Sequence, residues 1–162
     1  MENYLKYEWY GKNEDLYRAY EERKNSDVAT KVVMKGTYKG RHFMIGASRL
    51  GFPVAYVEVK EKDSYIMCEP EECREDALHS VNGCSNYYGR AYWDPEDPRM
   101  YIGWRYGEAD DYLGHRNPEQ RDRKQDTGHK WTLAEILMQI SEAIMEIGYE
   151  GYIDRNFRYA PA

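Results

Sequence analysis

The apolar positions along this chain change period twice. Near the start, Leu16, Tyr17, Ala19 and Tyr20 with Arg23 recur at helical spacing. Asn13 followed by Glu14 and Asp15 is the pattern of a helix N-cap with acids in the first turn, where the helix dipole is positive. The spacing predicts a short helix from Asn13 to about Lys24, broken by Asn25-Ser26-Asp27. From Thr30 the period shortens. Residues 31–36 and 41–46 read as strands joined by the turn-rich Thr37-Tyr38-Lys39-Gly40. Residues 53–59 are a third strand, with Pro53 at its start, where no ladder donor is needed. Residues 86–93 and 100–106 are two more, separated by Asp94-Pro95-Glu96-Asp97-Pro98, which two prolines mark as loop.

The last change of period is the clearest. Thr132 with Glu135 forms a capping box, and Trp131 with Ile136 fits a hydrophobic staple. Leu133, Ile136, Leu137, Ile140, Ile144 and Ile147 then share one helical face, and Gly148 ends it. Strands in the middle with helices at the ends predict an α+β fold. Its expected form is a small, mostly antiparallel sheet of about five strands. An N-terminal helix and a long C-terminal helix pack on one face. The expected organisation is one domain over residues 1–162: a helical segment to 29, the sheet from 30 to 106, a polar loop from 107 to 130, the helix from 131 to 148, and a tail.

Composition narrows the class. A chain of 162 residues is one ordinary domain, and 41% hydrophobic with 15% aromatic residues argues against wholesale disorder. The longest apolar runs are far short of the roughly 20 residues a spanning helix needs, and no cationic leader is seen. No membrane association is therefore expected, and the expected compartment is the cytoplasm. The net charge of −6 excludes a uniformly basic nucleic-acid surface, so no direct binding of long nucleic acid is expected.

That charge is unevenly spread. Residues 1–57 carry a net +3, residues 58–111 a net −8 and residues 112–162 a net −1. The acidic middle includes Glu69, Glu71, Glu72, Glu75 and Asp76, a candidate surface for a protein partner. The same stretch holds Cys68, Cys73, His79 and Cys84 in a C-x4-C-x5-H-x4-C pattern. Its first pair is separated by four residues where a zinc knuckle has two. The favoured reading is three reduced thiols and a loop histidine, with no metal and no cofactor.

The stretch from Leu50 to Ile147 carries Val81-Asn82-Gly83-Cys84-Ser85-Asn86-Tyr87 and Gly103-Trp104-Arg105-Tyr106-Gly107-Glu108-Ala109-Asp110-Asp111. In these segments it resembles a large group of small bacteriophage and prophage proteins. That group shows a His-Gly-Gly-x-Thr-Tyr box, a Gly-[Phe/Trp]-Asp-x-x-His-x-Gly-Asp box and a closing capped helix. Asn82 stands where the group has its first histidine, Arg105 where it has aspartate, and Glu108 where it has the second histidine. An amide, a guanidinium and a carboxylate in those places remove both neutral imidazoles and add a permanent cation. If the group is enzymatic, the resemblance implies that this chain has lost that chemistry; if the group binds ligands, it implies that this chain has changed what it binds.

The candidate ligand-binding residues are Asn82, Tyr87, Trp104, Arg105, Glu108 and Asp111. Aromatic faces beside arginines suit a nucleobase and its phosphate. The expectation is a non-enzymatic phage or prophage accessory protein acting in the cytoplasm of the bacterial host. It would counter host defence by sequestering a small nucleotide signal or inhibiting a defence protein. Two other classes stay open. One is a metal-dependent hydrolase acting on a nucleotide through Asp111, Glu108 and His115. The other is an acidic nucleic-acid mimic that blocks a CRISPR-type effector through Glu69, Glu71, Glu72, Glu75 and Asp76. Strand edges in so small a sheet also leave a homodimer open.

Overall fold

A computed structural model describes residues 5–18, 29–60, 63, 85, 87–108, 110–112 and 128–148. Among these residues six strands form one antiparallel sheet: β1 (Lys6–Trp9), β2 (Ala29–Tyr38), β3 (Arg41–Ser48), β4 (Pro53–Val59), β5 (Tyr87–Arg90) and β6 (Met100–Arg105). Their spatial order is β1-β2-β3-β4-β6-β5. One helix, α1 (Leu133–Gly148), follows. The α+β class and the C-terminal helix are as the periodicity predicts, and among the described residues no helix is long and apolar enough to cross a membrane.

The period-2 alternation of the strands divides the sheet into two apolar faces. Phe43, Ile45, Ala55, Val57, Ile102 and Trp104 pack under Leu133, Ile136, Ile140, Ala143, Ile144 and Ile147 of α1. The intervening residues Met44, Val54, Tyr56 and Tyr101 form a second cluster on the opposite face. The β2–β3 hairpin is tighter than its four turn-prone residues suggest. Lys39 and Gly40 both have positive φ, at 51° and 78°, which suits a two-residue turn and leaves Thr37 and Tyr38 inside β2.

Two expectations are corrected. The sheet has six strands, not five, because Lys6–Trp9 pairs with β2 despite being only four residues long and exposed throughout. The N-terminal helix is a single 3-10 turn over Asn13–Tyr17, and Arg18 is already extended, at φ −92° and ψ 135°. The physical reason lies in Asn13. Its side chain does not cap its own turn: Oδ1 accepts the backbone N–H of Leu133 at 2.8 Å, capping α1 instead. Asp15 takes over locally, accepting the Lys12 backbone N–H at 2.7 Å, while Leu16 and Tyr17 are drawn into the core. The rest of the predicted helix, from Ala19 onward, lies outside the described residues.

The helix start is built as predicted. The Thr132 backbone N–H donates to Glu135 Oε1 at 2.9 Å, and the Glu135 N–H donates to Thr132 Oγ1 at 3.3 Å. A second anchor ties β3 to the end of β4. Arg41 Nη1 donates to Asp63 Oδ2 and Nη2 to Asp63 Oδ1, at 2.6 Å each, and both side chains are buried.

Candidate functional site

The predicted ligand residues do not form one constellation. Tyr87 and Trp104 belong to adjacent strands but to opposite faces. Trp104 is 1% exposed beneath α1, where its indole N–H donates to the Tyr106 hydroxyl at 2.8 Å. That hydroxyl in turn donates to Gln139 Oε1 at 2.6 Å. Tyr87 faces the other way, edge-on to Tyr56 at 5.2 Å and to Tyr92 at 5.6 Å. Its half-burial pushes the phenol pKa up.

Three of the others are linked. Arg105 Nε pairs with Glu108 Oε2 at 2.9 Å on an exposed rim. The Glu108 backbone N–H donates to Asp111 Oδ2 at 2.9 Å, and the Trp131 indole donates to Asp111 Oδ1 at 2.9 Å. Asp111 is 3% exposed, and its two oxygens join the end of β6 to the approach to α1. Its backbone bridges His129, whose Nε2 lies 2.9 Å from Glu135 Oε2. This cluster pins the helix to the sheet. Asn82, His115, the acids Glu69, Glu71, Glu72, Glu75 and Asp76, and the Cys68, Cys73, His79 and Cys84 set lie outside the described residues. Among the described residues no group of three His, Cys, Asp or Glu side chains is placed to hold a metal ion.

A cleft of about 410 Å³ lies on the face away from α1. Strand alternation builds its floor. The register sets Lys6 beside Thr37, Thr37 beside His42, and Glu58 beside Tyr101, so these side chains share one face. Lys6, Thr37, His42 and Tyr101, from β1, β2, β3 and β6, line the cleft, and Glu58 of β4 holds His42 from beside it. The connector from β5 to β6 supplies the wall: Trp93, Asp94, Asp97 and Arg99 line the cleft with Lys35, Tyr10 and Glu8 opposite. Trp93 is held in an aromatic chain, 5.0 Å from Tyr101 and 4.8 Å from Tyr56.

The cleft's polar groups are organised around two carboxylates. Glu58 Oε1 accepts the His42 backbone N–H at 3.0 Å and lies 3.0 Å from His42 Nδ1. That contact engages Nδ1 and leaves Nε2 as the ring nitrogen to offer a ligand. Asp97 accepts the Tyr101 hydroxyl at 2.6 Å, the Arg99 N–H at 2.9 Å and Arg99 Nη1 at 3.1 Å. Burial works against the Asp97 charge, yet those donors hold its carboxyl below the ordinary 3.8. Burial, then the Asp97 acceptor, pushes the Tyr101 phenol far up, so it stays a neutral donor. Lys35 Nζ sits 5.6 Å from the centre of the Tyr10 ring, and Tyr10 donates to Glu8 at 2.9 Å. Cations, planar rings and a histidine therefore meet in one concavity, together with the acceptors Glu8 and Asp94.

Only part of this was signalled along the chain. Glu58 is the one charged residue in an otherwise apolar strand, and His42 shares the parity of Met44. Asp97 reads as solvated loop acid because three of its donor contacts come from Arg99 and Tyr101, beyond the loop's prolines. No family model, curated protein or solved structure matches the chain.

Proposed function

We propose that this chain acts by binding and not by turnover, as a phage-type accessory protein that sequesters a small nucleotide-type ligand in the cytoplasm of a bacterial host. The open-face cleft is the binding surface. The observation that carries this reading is the pairing, within about 410 Å³, of the rings of Tyr10 and Trp93 with Lys6, Lys35, His42 and Thr37. Ligand pockets commonly span roughly 300–1,000 Å³, with a few convergent polar groups on an aromatic lining. A base stacks on a ring, its phosphate meets the lysines and His42, and an exocyclic amine donates to Asp94. Local cations suffice for one or two phosphates; a long polyanion would meet the chain's net charge of −6. Counter-defence is the role this chemistry fits best, because withdrawing a nucleotide signal needs affinity and no catalysis.

The test is native mass spectrometry of the protein after incubation with cyclic oligonucleotides and ADP-ribose-type nucleotides. The expected result is a stoichiometric adduct whose released ligand, after heating, has its original mass. Bare protein with the panel intact would move the target to a host protein. Released ligand of altered mass would make the protein an enzyme.

A further inference from the structure

Among the described residues strand β1 ends the sheet on one side, and all four of its residues are exposed. Its side chains alternate. Tyr7 and Trp9 lie on the helix-covered side, 44% and 65% exposed, and with Met34, Leu133, Ala134 and Leu137 they line an apolar cleft of about 370 Å³. Lys6 and Glu8 lie on the open side. Edge strands that stay single are blunted by shortness, lysine, proline, bulges or inward-pointing charges. β1 is short and carries Lys6, but it has neither proline nor bulge, and it balances Lys6 with Glu8 beside two large exposed aromatics.

We propose that a second copy of this chain docks here, β1 against β1 and antiparallel, continuing the sheet across a two-fold axis at Tyr7. A two-fold axis perpendicular to the sheet keeps both helices on one side, so each residue must oppose one of its own face. This leaves few registers. Centring on Lys6 sets Lys6 against Lys6, and centring on Glu8 sets Glu8 against Glu8; like charges directly opposite are unfavourable. Centring on Tyr7 sets Lys6 of each copy against Glu8 of the other, giving two opposite-charge pairs. The same register sets Tyr7 against Tyr7 and Trp9 against Leu5, a residue already packed on the core edge. The charge pattern of β1 is thus self-complementary in one register, as an isologous interface requires.

The experiment is light-scattering mass measurement of the full chain across a concentration series, on the parent, Lys6→Glu, Glu8→Lys and the double reversal. The parent is expected at twice 19.3 kDa. Each single reversal sets four like charges together and should give the monomer mass with an unchanged far-UV spectrum. The double reversal should restore the dimer, which a merely structural role for either side chain would not do. A parent that is monomeric throughout, a dimer indifferent to the single reversals, or a double reversal that stays monomeric would each overturn the proposal.

Discussion

Individual residues here have roles set by what surrounds them more than by their type. Trp104, a natural stacking platform in the sequence, is a core side chain whose only polar atom is satisfied by Tyr106. Its partner in the expected site, Tyr87, points to the other face because β5 pairs in a register that sets Tyr87 opposite Gly103, one residue before Trp104. Asp111 keeps its carboxylate, but as the receptor for the Trp131 indole and the Glu108 N–H. Replacing Asp111 by Ala should lower thermal stability by about 1–3 kcal/mol through the two unsatisfied donors, read as a fall in Tm. Arg41 and Asp63 form a buried bidentate pair. Removing one partner, as in Asp63→Ala, should cost about 3–5 kcal/mol in chemical denaturation because a charge is left buried. Acid should weaken the fold as well. Asp15, held low first by the Lys12 N–H, and Asp97 and Glu135, held low by their donors against burial, all have folded pKa values below the ordinary 3.8, 3.8 and 4.5. Their contribution is complete above those ordinary values and is lost as pH falls through the folded ones. A denaturation series should show a flat stability down to about pH 5 and a decline below it; stability that rises on acidification would contradict these assignments.

At the scale of elements, legibility followed hydrophobic contrast. The helix at Leu133–Gly148 carried its own boundary chemistry in Thr132 and Glu135, and its apolar stripe matches the side chains that meet the sheet. The central strands were legible for the same reason: their apolar runs are bounded by turns. β1 was not, because four exposed residues carry no burial signal and owe their strand state to pairing with β2. The N-terminal helix misled because Asn13 has a better use 120 residues away, and a cap that serves another helix leaves its own turn to stop after Tyr17. Asn13→Ala should therefore destabilise α1, by about 0.5–2 kcal/mol, with faster amide exchange at Leu133 as the local signature. Gly36 allows β1 to lie close. A Cβ there would run into the Lys6 carbonyl oxygen and meet the Phe43 ring at 2.7 Å. Gly36→Ala should loosen β1 selectively, seen as accelerated exchange over Lys6–Trp9 while α1 stays protected.

For the whole molecule, the decisive feature is that a single sheet separates two tasks. One face is covered by α1 and carries most of the fold's apolar burial; the other pairs an aromatic chain with a cleft whose cations and rings come from four strands and one connector. No local motif announces that cleft, since its residues lie as far apart as Lys6 and Tyr101 and meet only through strand order. Its assembly from sheet register explains why sequence spacing pointed to Trp104 and Arg105 instead. Lys35→Ala should weaken nucleotide binding about tenfold, as the loss of roughly 1.4 kcal/mol of cation contact, in a calorimetric titration. The most direct test maps the ligand onto the protein by backbone amide chemical shifts during titration with the nucleotide panel. Binding at the open face should move Lys35, Thr37, His42, Arg99 and Tyr101 while Ile136, Ile140 and Ile144 stay still. Shifts confined to Arg105, Glu108 and the approach to α1, or no shifts with any nucleotide, would contradict it.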